Sequence, residues 1–149
     1  MTISFIVISY IILTVIFIFM PKRLSWSEIY ISWIVISFIV LVSDLTLGEI
    51  FNFYDLLNKP GPQLTDVIIE ITLPACFGII FLNFMPLEWK KSIWYCLFII
   101  IFSTCYEQLA RFFEYVHYKG WKISYSVLYY FVVSLFLYWH NWFIRRFMK

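Results

Sequence analysis

The amino-acid sequence predicts an all-α fold, a polytopic transmembrane helical bundle of about five spans. Three observations predict it. Hydrophobic residues make up 63% of the 149 and charged residues only 13%, with a mean hydropathy of +0.87. A water-soluble domain carries about 25% charged residues, so this chain has too little polar surface to cover a globule in water. Several apolar runs approach the roughly 20 residues that cross a bilayer, with most of the charges gathered between them. The whole chain, 1–149, reads as a single integral membrane domain.

The first span, 3–20, carries no charge and stops at Pro21, which cannot continue the hydrogen-bond ladder of a helix. No basic segment precedes it and no small-x-small cleavage pattern is present, so a retained helix is expected instead of a secretory leader. Ser25-Trp26-Ser27-Glu28 fits the S-x-x-E capping box and starts the second span, 27–47, which Gly48 permits to stop. Over residues 49–58, Ile50, Phe53, Tyr54 and Leu57 recur at helical spacing opposite Asn52, Asp55 and Asn58. That pattern predicts a short amphipathic helix lying at the membrane surface. Lys59-Pro60-Gly61-Pro62 ends it. The third span, 66–85, has Thr65 or Asp66 as N-cap. It contains Pro74, which frees a carbonyl that a neighbouring helix or hydroxyl must satisfy. Glu88-Trp89-Lys90-Lys91 reads as a tight turn before the fourth span, 92–116, and Lys119-Gly120-Trp121-Lys122 as the last turn before the fifth, 123–144.

The turns alternate sides, so their basic residues predict orientation. Seven lie on one side (Lys22, Arg23, Lys90, Lys91, Arg145, Arg146 and Lys149) and three on the other (Lys59, Lys119 and Lys122). The positive-inside rule then puts the N-terminus outside and the C-terminus in the cytoplasm. Trp26, Trp89, Trp94, Trp121, Trp139 and Trp142 fall near span ends, where indoles anchor at headgroup level.

The acids line up in depth. At the helical rise per residue, Asp44 lies about 21 Å from Tyr30 at the inner end of its span. Glu70 lies about 22 Å from Met85, and Glu107 about 22 Å from Ser92, by the same rise. Three carboxylates on three helices therefore reach one level in the outer half of the bilayer core. Asp66 is one turn outward from Glu70, and Glu107, Arg111 and Glu114 share one helix face at i, i+4 and i+7. Ionisable groups at such depth are costly and usually face the bundle interior. The candidate binding residues are Asp44, Asp66, Glu70, Glu107, Arg111 and Glu114, with Asp66 and Glu114 at the mouth.

Other chemistry has little support. No G-x-S-x-G, H-E-x-x-H, P-loop or dinucleotide fingerprint is present, so no catalytic residue is assigned and an enzyme is not the favoured class. Cys76, Cys96 and Cys105 sit in apolar runs without ligand spacing, so no metal and no cofactor is expected. His117 and His140 fall near opposite surfaces and read as interface residues. Basic residues do not cluster enough for a nucleic-acid partner.

Pro21-Lys22-Arg23, Trp26, Glu28, Asp44, Tyr54-Asp55, Pro74, Leu82-Asn83-Phe84, Pro86, Tyr106-Glu107, Trp121, Ser126 and Tyr130 together resemble a group of small multi-span membrane proteins of spore-forming Gram-positive bacteria. The resemblance implies a bacterial plasma-membrane location. It offers no activity and no catalytic residues to carry over.

Two functions follow from the acidic layer. The favoured one is an outward-facing polar cavity that binds or conducts a cation, a proton or a small solute. The alternative is an accessory or assembly subunit of a membrane complex, its buried charges structural, with Arg111 paired to Glu107 and to Glu70 or Asp44. The expected partners are the lipid bilayer, a cation or proton, and a second copy or another membrane protein.

Overall fold

Local chemistry sets most helix ends in the computed structural model, which describes residues 1–57, 63–86 and 88–147. Helix α1 (Thr2–Phe19) stops just before Pro21. Helix α2 (Trp26–Asp44) opens on the capping box expected of Ser25 and Glu28: the Glu28 N–H donates to Ser25 Oγ at 3.3 Å, and the Ser25 N–H to Glu28 Oε2 at 2.6 Å. Each side chain thereby satisfies an N–H that the helix leaves open. Helix α3 (Leu64–Phe84) keeps Pro74 in its interior, and Ser37 on α2 donates to the Ile71 carbonyl at 2.8 Å. That carbonyl neighbours the Glu70 carbonyl, which Pro74 deprives of its donor. Helices α4 (Trp89–Phe112) and α5 (Ile123–Phe147) complete the set. All five helices are long and apolar enough to cross a membrane.

Residues 49–57 do not form an amphipathic helix. Instead α2 widens into a π-helical turn, Leu45–Ile50, and Asn52 takes a left-handed conformation (φ 52°) that ends helical winding. The chain then extends into strand β1 (Tyr54–Leu56). The fourth helix also ends four residues early. At Phe112 a Schellman-type closure follows, with Glu114 left-handed (φ 58°), its N–H donating to the Arg111 carbonyl and the Tyr115 N–H to the Ala110 carbonyl. Residues 116–118 become strand β2 (Val116–Tyr118). The strands pair antiparallel, Tyr54 opposite Tyr118, Asp55 opposite His117 and Leu56 opposite Val116. Local periodicity cannot reveal a three-residue strand whose partner is some sixty positions away. At its start α4 already includes Trp89, Lys90 and Lys91, three residues of the expected turn. Lys59-Pro60-Gly61-Pro62, Asn58 and Lys149 lie outside the described residues.

The core lies between α2, α3 and α5, around Ile36, Ala75, Ile79, Leu82 and Leu137. A Cβ on Gly78 would come 2.6 Å from Ile36 Cδ1, so α2 and α3 approach as closely as they do because that position carries no side chain. Between α3 and α4, aromatic pairs make the contact: Phe81 stacks on Tyr95 at 5.2 Å and Phe77 on Phe102 at 5.8 Å. At the end of the bundle away from the strands, fully buried Asn83 accepts the Arg23 and Leu24 N–H groups and donates to the Pro21 carbonyl, clamping the α1–α2 turn onto α3. His140 is buried there against Ser32 at 3.2 Å, which corrects its reading as an interface residue. Polar groups are thus inside, while Phe38, Ile101, Phe112 and Leu128 are each more than 60% exposed.

Candidate functional site

Asp44, Glu70 and Glu107 line one cavity of about 160 Å³ at the strand-bearing end of the bundle. The counting of helical rise therefore placed three acids at one level, and the helix packing turns them toward each other. Asp44 comes from the last turn of α2, Glu70 from α3 above Pro74, and Glu107 from the last third of α4. Tyr54 and Leu56 of β1 and Val116 and Tyr118 of β2 close the cavity from the strand side. Trp121 and, on α5, Tyr129 and Tyr130 complete the wall.

Each acid has its own partners. Asp44 and Glu70 hydrogen-bond to one another through their side chains, and the Tyr54 hydroxyl donates to Asp44. Two carboxyl groups within hydrogen-bond reach cannot both stay ionised without a counter-charge: a proton bridges them or a cation sits with them. Glu107 accepts from three hydroxyls, those of Tyr118, Ser126 (2.7 Å) and Tyr130. Trp121 donates its Nε1–H to Ser126 at 2.8 Å, and Gln108 donates to the Tyr118 oxygen at 3.2 Å, so the donors point in series toward Glu107. Tyr129 bonds to Ser43 on the same wall.

The phenols supply a neutral shell. Burial, then the Asp44 carboxylate beside it, holds the Tyr54 hydroxyl far above its ordinary value. Burial and the bond to Glu107 raise Tyr118, and burial followed by the charges of Glu70 and Asp66 raises Tyr115. All three keep their protons at any physiological pH, and Tyr54 and Tyr118 act as donors to Asp44 and Glu107. Gly48 lets this shell close: a Cβ there would lie 3.2 Å from Asp44 Oδ1 and 3.3 Å from Tyr54 Cε2. Among the described residues no group of three His, Cys, Asp or Glu side chains is set to hold a metal ion.

Three of the six candidate residues are elsewhere. Asp66 is buried one turn nearer the strand end, within electrostatic reach of Glu70 and Tyr115, and does not line the cavity. Glu114 is exposed on the left-handed residue that closes α4. Arg111 pairs with none of the three cavity acids among the described residues. Its guanidinium lies 4.0 Å from the centre of the Tyr118 ring and donates to Gln108 at 2.8 Å, on the outer side of that ring. The i, i+4 spacing failed because Tyr118, carried in on β2, lies between the cation and the acid. Conversely, Tyr54, Tyr118, Trp121, Ser126, Tyr129 and Tyr130 were missed as site residues. Ser126 and Tyr130, spaced i, i+4 on an apolar helix, carried the detectable signal; Trp121 had been read as an interface anchor. No protein-family model, curated protein or solved structure matches the chain.

Proposed function

We propose that the protein is a multi-pass plasma-membrane protein whose carboxylate cavity takes up a cation from the outer side, with the proton as the favoured species. The observation that carries the proposal is a charge imbalance. Three carboxylates line one small cavity, two of them bonded to each other, and no Lys or Arg is among its described lining residues. In a low-dielectric interior such a set needs compensation from outside the chain. A proton fits best, because the Asp44–Glu70 pair needs one mobile positive charge and no three His, Cys, Asp or Glu side chains among the described residues are grouped to hold a metal ion.

Placement in a bilayer is supported by five helices of spanning length and by apolar residues on their exposed faces. Lys22, Arg23, Lys90, Lys91, Arg145 and Arg146 belong to the end opposite the strands, and Arg111, Lys119 and Lys122 to the strand end. The basic excess supports a cytoplasmic side for the first end and an outer side for the cavity. The resemblance to membrane proteins of spore-forming Gram-positive bacteria favours a bacterial plasma membrane.

The test is proton flux in liposomes reconstituted with purified protein and loaded with a pH-sensitive dye. Wild-type protein should dissipate an imposed pH gradient, and Glu70→Gln should not. Absence of flux through the wild type, together with a lowered Tm for Glu70→Gln, would overturn the proposal and leave the acids as structural elements of a subunit in a larger complex.

A further inference from the structure

A second recess, an open groove of about 410 Å³, lies on the other side of Tyr118 and is lined by Gln108, Arg111, Phe112, Val116, His117 and Tyr118. We propose that this groove binds an anionic phosphate or carboxylate group, gripped by Arg111. The proposal goes beyond the acidic cavity and does not depend on its function.

Arg111 makes neither of the ion pairs that its helix offers among the described residues. Glu107 and Glu114 stand four residues before and three after Arg111, the spacings at which a helix forms ion pairs. Neither pair forms among the described residues: Glu107 is committed to three hydroxyls, and the left-handed turn at Glu114 carries its carboxylate off the helix. The guanidinium is nevertheless held in place. Tyr118 supports its flat face and Gln108 Oε1 fixes one N–H, which leaves other N–H groups of the planar fork for a ligand. A stacked, edge-exposed guanidinium suits bidentate capture of phosphate or carboxylate, and little entropy remains to be lost on binding. His117 adds a polar ring with Nε2 on the Glu114 carbonyl, 3.1 Å away. Beside the groove, Phe112 is 73% and Leu109 47% exposed, an apolar flank directly next to a fixed cation. That juxtaposition fits a lipid headgroup whose phosphate meets Arg111 while its glycerol and acyl carbons cover Phe112. A free organic phosphate offers the same anionic chemistry without the apolar part.

The experiment is a thermal-shift titration of the full chain in neutral detergent. The probes are phosphatidylglycerol, phosphatidylcholine and glycerol 3-phosphate. Stabilisation by phosphatidylglycerol alone supports the site with a lipid as its source. Stabilisation by glycerol 3-phosphate as well supports it with a soluble source. No preference for either anion over phosphatidylcholine overturns it. Losing a bidentate charge-assisted contact should weaken anion binding by roughly tenfold to a hundredfold in Arg111→Gln. Arg111→Lys, which keeps the charge but not the fork, should fall between. Lys119, engaged with Asp55 and Asn52, serves as the control: Lys119→Gln should leave the response unchanged. Full anion response in Arg111→Gln, or equal loss in Lys119→Gln, overturns the assignment. Should Arg111→Gln fail to fold, Arg111→Lys against wild type decides, with an undiminished response counting against the site.

Discussion

Asp44→Asn separates a functional carboxylate pair from a structural one, because asparagine can keep the geometry while removing the need for a charge. In the wild type, two unit charges about 4 Å apart at an effective dielectric near 20 would repel by about 4 kcal/mol, which is why the Asp44–Glu70 bond requires a proton or cation. An asparagine at 44 has an NH2 to donate to Glu70 and an oxygen to accept from Tyr54, so both bonds of the wild-type carboxyl survive. The variant should therefore fold with a stability within about 1 kcal/mol of wild type, which is a change of only a few degrees in Tm for a chain of this size. Its gradient dissipation in liposomes should nevertheless be lost, since the pair no longer exchanges a positive charge. Two measurements on one preparation are enough: Tm in detergent, and dye-reported flux after reconstitution. Flux equal to wild type would refute the reasoning outright. A destabilisation above about 3 kcal/mol would refute its structural half, because it would mean that the asparagine cannot make the two bonds.

Glu107→Gln should behave in the opposite way. An amide offers one acceptor oxygen where three hydroxyls converge, so Tm should fall with a loss of about 2–4 kcal/mol, and an unchanged Tm would count against the network. Gly48→Ala forces Asp44 and Tyr54 to give by a few tenths of an ångström and should cost about 1–3 kcal/mol, read from Tm, while Gly48→Ser should cost no less. The raised phenols predict alkaline sensitivity. Tyr54, Tyr115 and Tyr118 hold their protons in the folded state above the ordinary tyrosine value of 10.0, whereas the unfolded chain releases them there. Their contribution is therefore complete below pH 10.0 and is lost as pH rises beyond it, by up to about 1.4 kcal/mol per pH unit for each group. Tyr54→Phe should show a shallower decline of Tm between pH 9 and 11.5 by about that amount, and parallel curves would contradict the assignment.

The meeting of the three acids in one cavity was legible because helical rise is constant, so that even the start of α4 at Trp89 in place of Ser92 leaves their relative heights unchanged. Asp44, Glu70 and Glu107 could be placed at one level without knowing which way any helix faced, and the core contacts then rotated all three inward. The capping box at Ser25 and the stop at Pro21 were legible for a similar reason, since each is a local contest over backbone hydrogen bonds. What escaped was everything carried by the segments between helices. Tyr54 and Tyr118 face each other only because β1 and β2 pair, and nothing near either residue signals the other. In an apolar, aromatic-rich chain a tyrosine also reads as an interface anchor or as filler, so the phenols of α5 stood out only beside Ser126. Arg111 was misplaced on the same account. Its helical spacing to Glu107 was read correctly, but the ring that intervenes comes from outside the helix.

The choice of phenols as partners bears on how such a cavity works. A lysine or arginine bonded to Glu107 would cancel its charge and remove one reason for a cation to enter. A hydroxyl from Tyr118, Ser126 or Tyr130 orients the carboxylate and satisfies its lone pairs while leaving the charge count unaltered. The Arg111 guanidinium is held outside by the same ring that serves the acid: Tyr118 offers its hydroxyl to Glu107 and its face to Arg111. Paired strands then close this end while satisfying their own backbone groups. The result is a cavity lined by three carboxyl groups, next to a groove lined by one guanidinium, with Tyr118 between them. Movement of the Tyr118 ring would be felt on both sides, so the anion proposed for Arg111 and the cation proposed for the carboxylates would act on one shared wall.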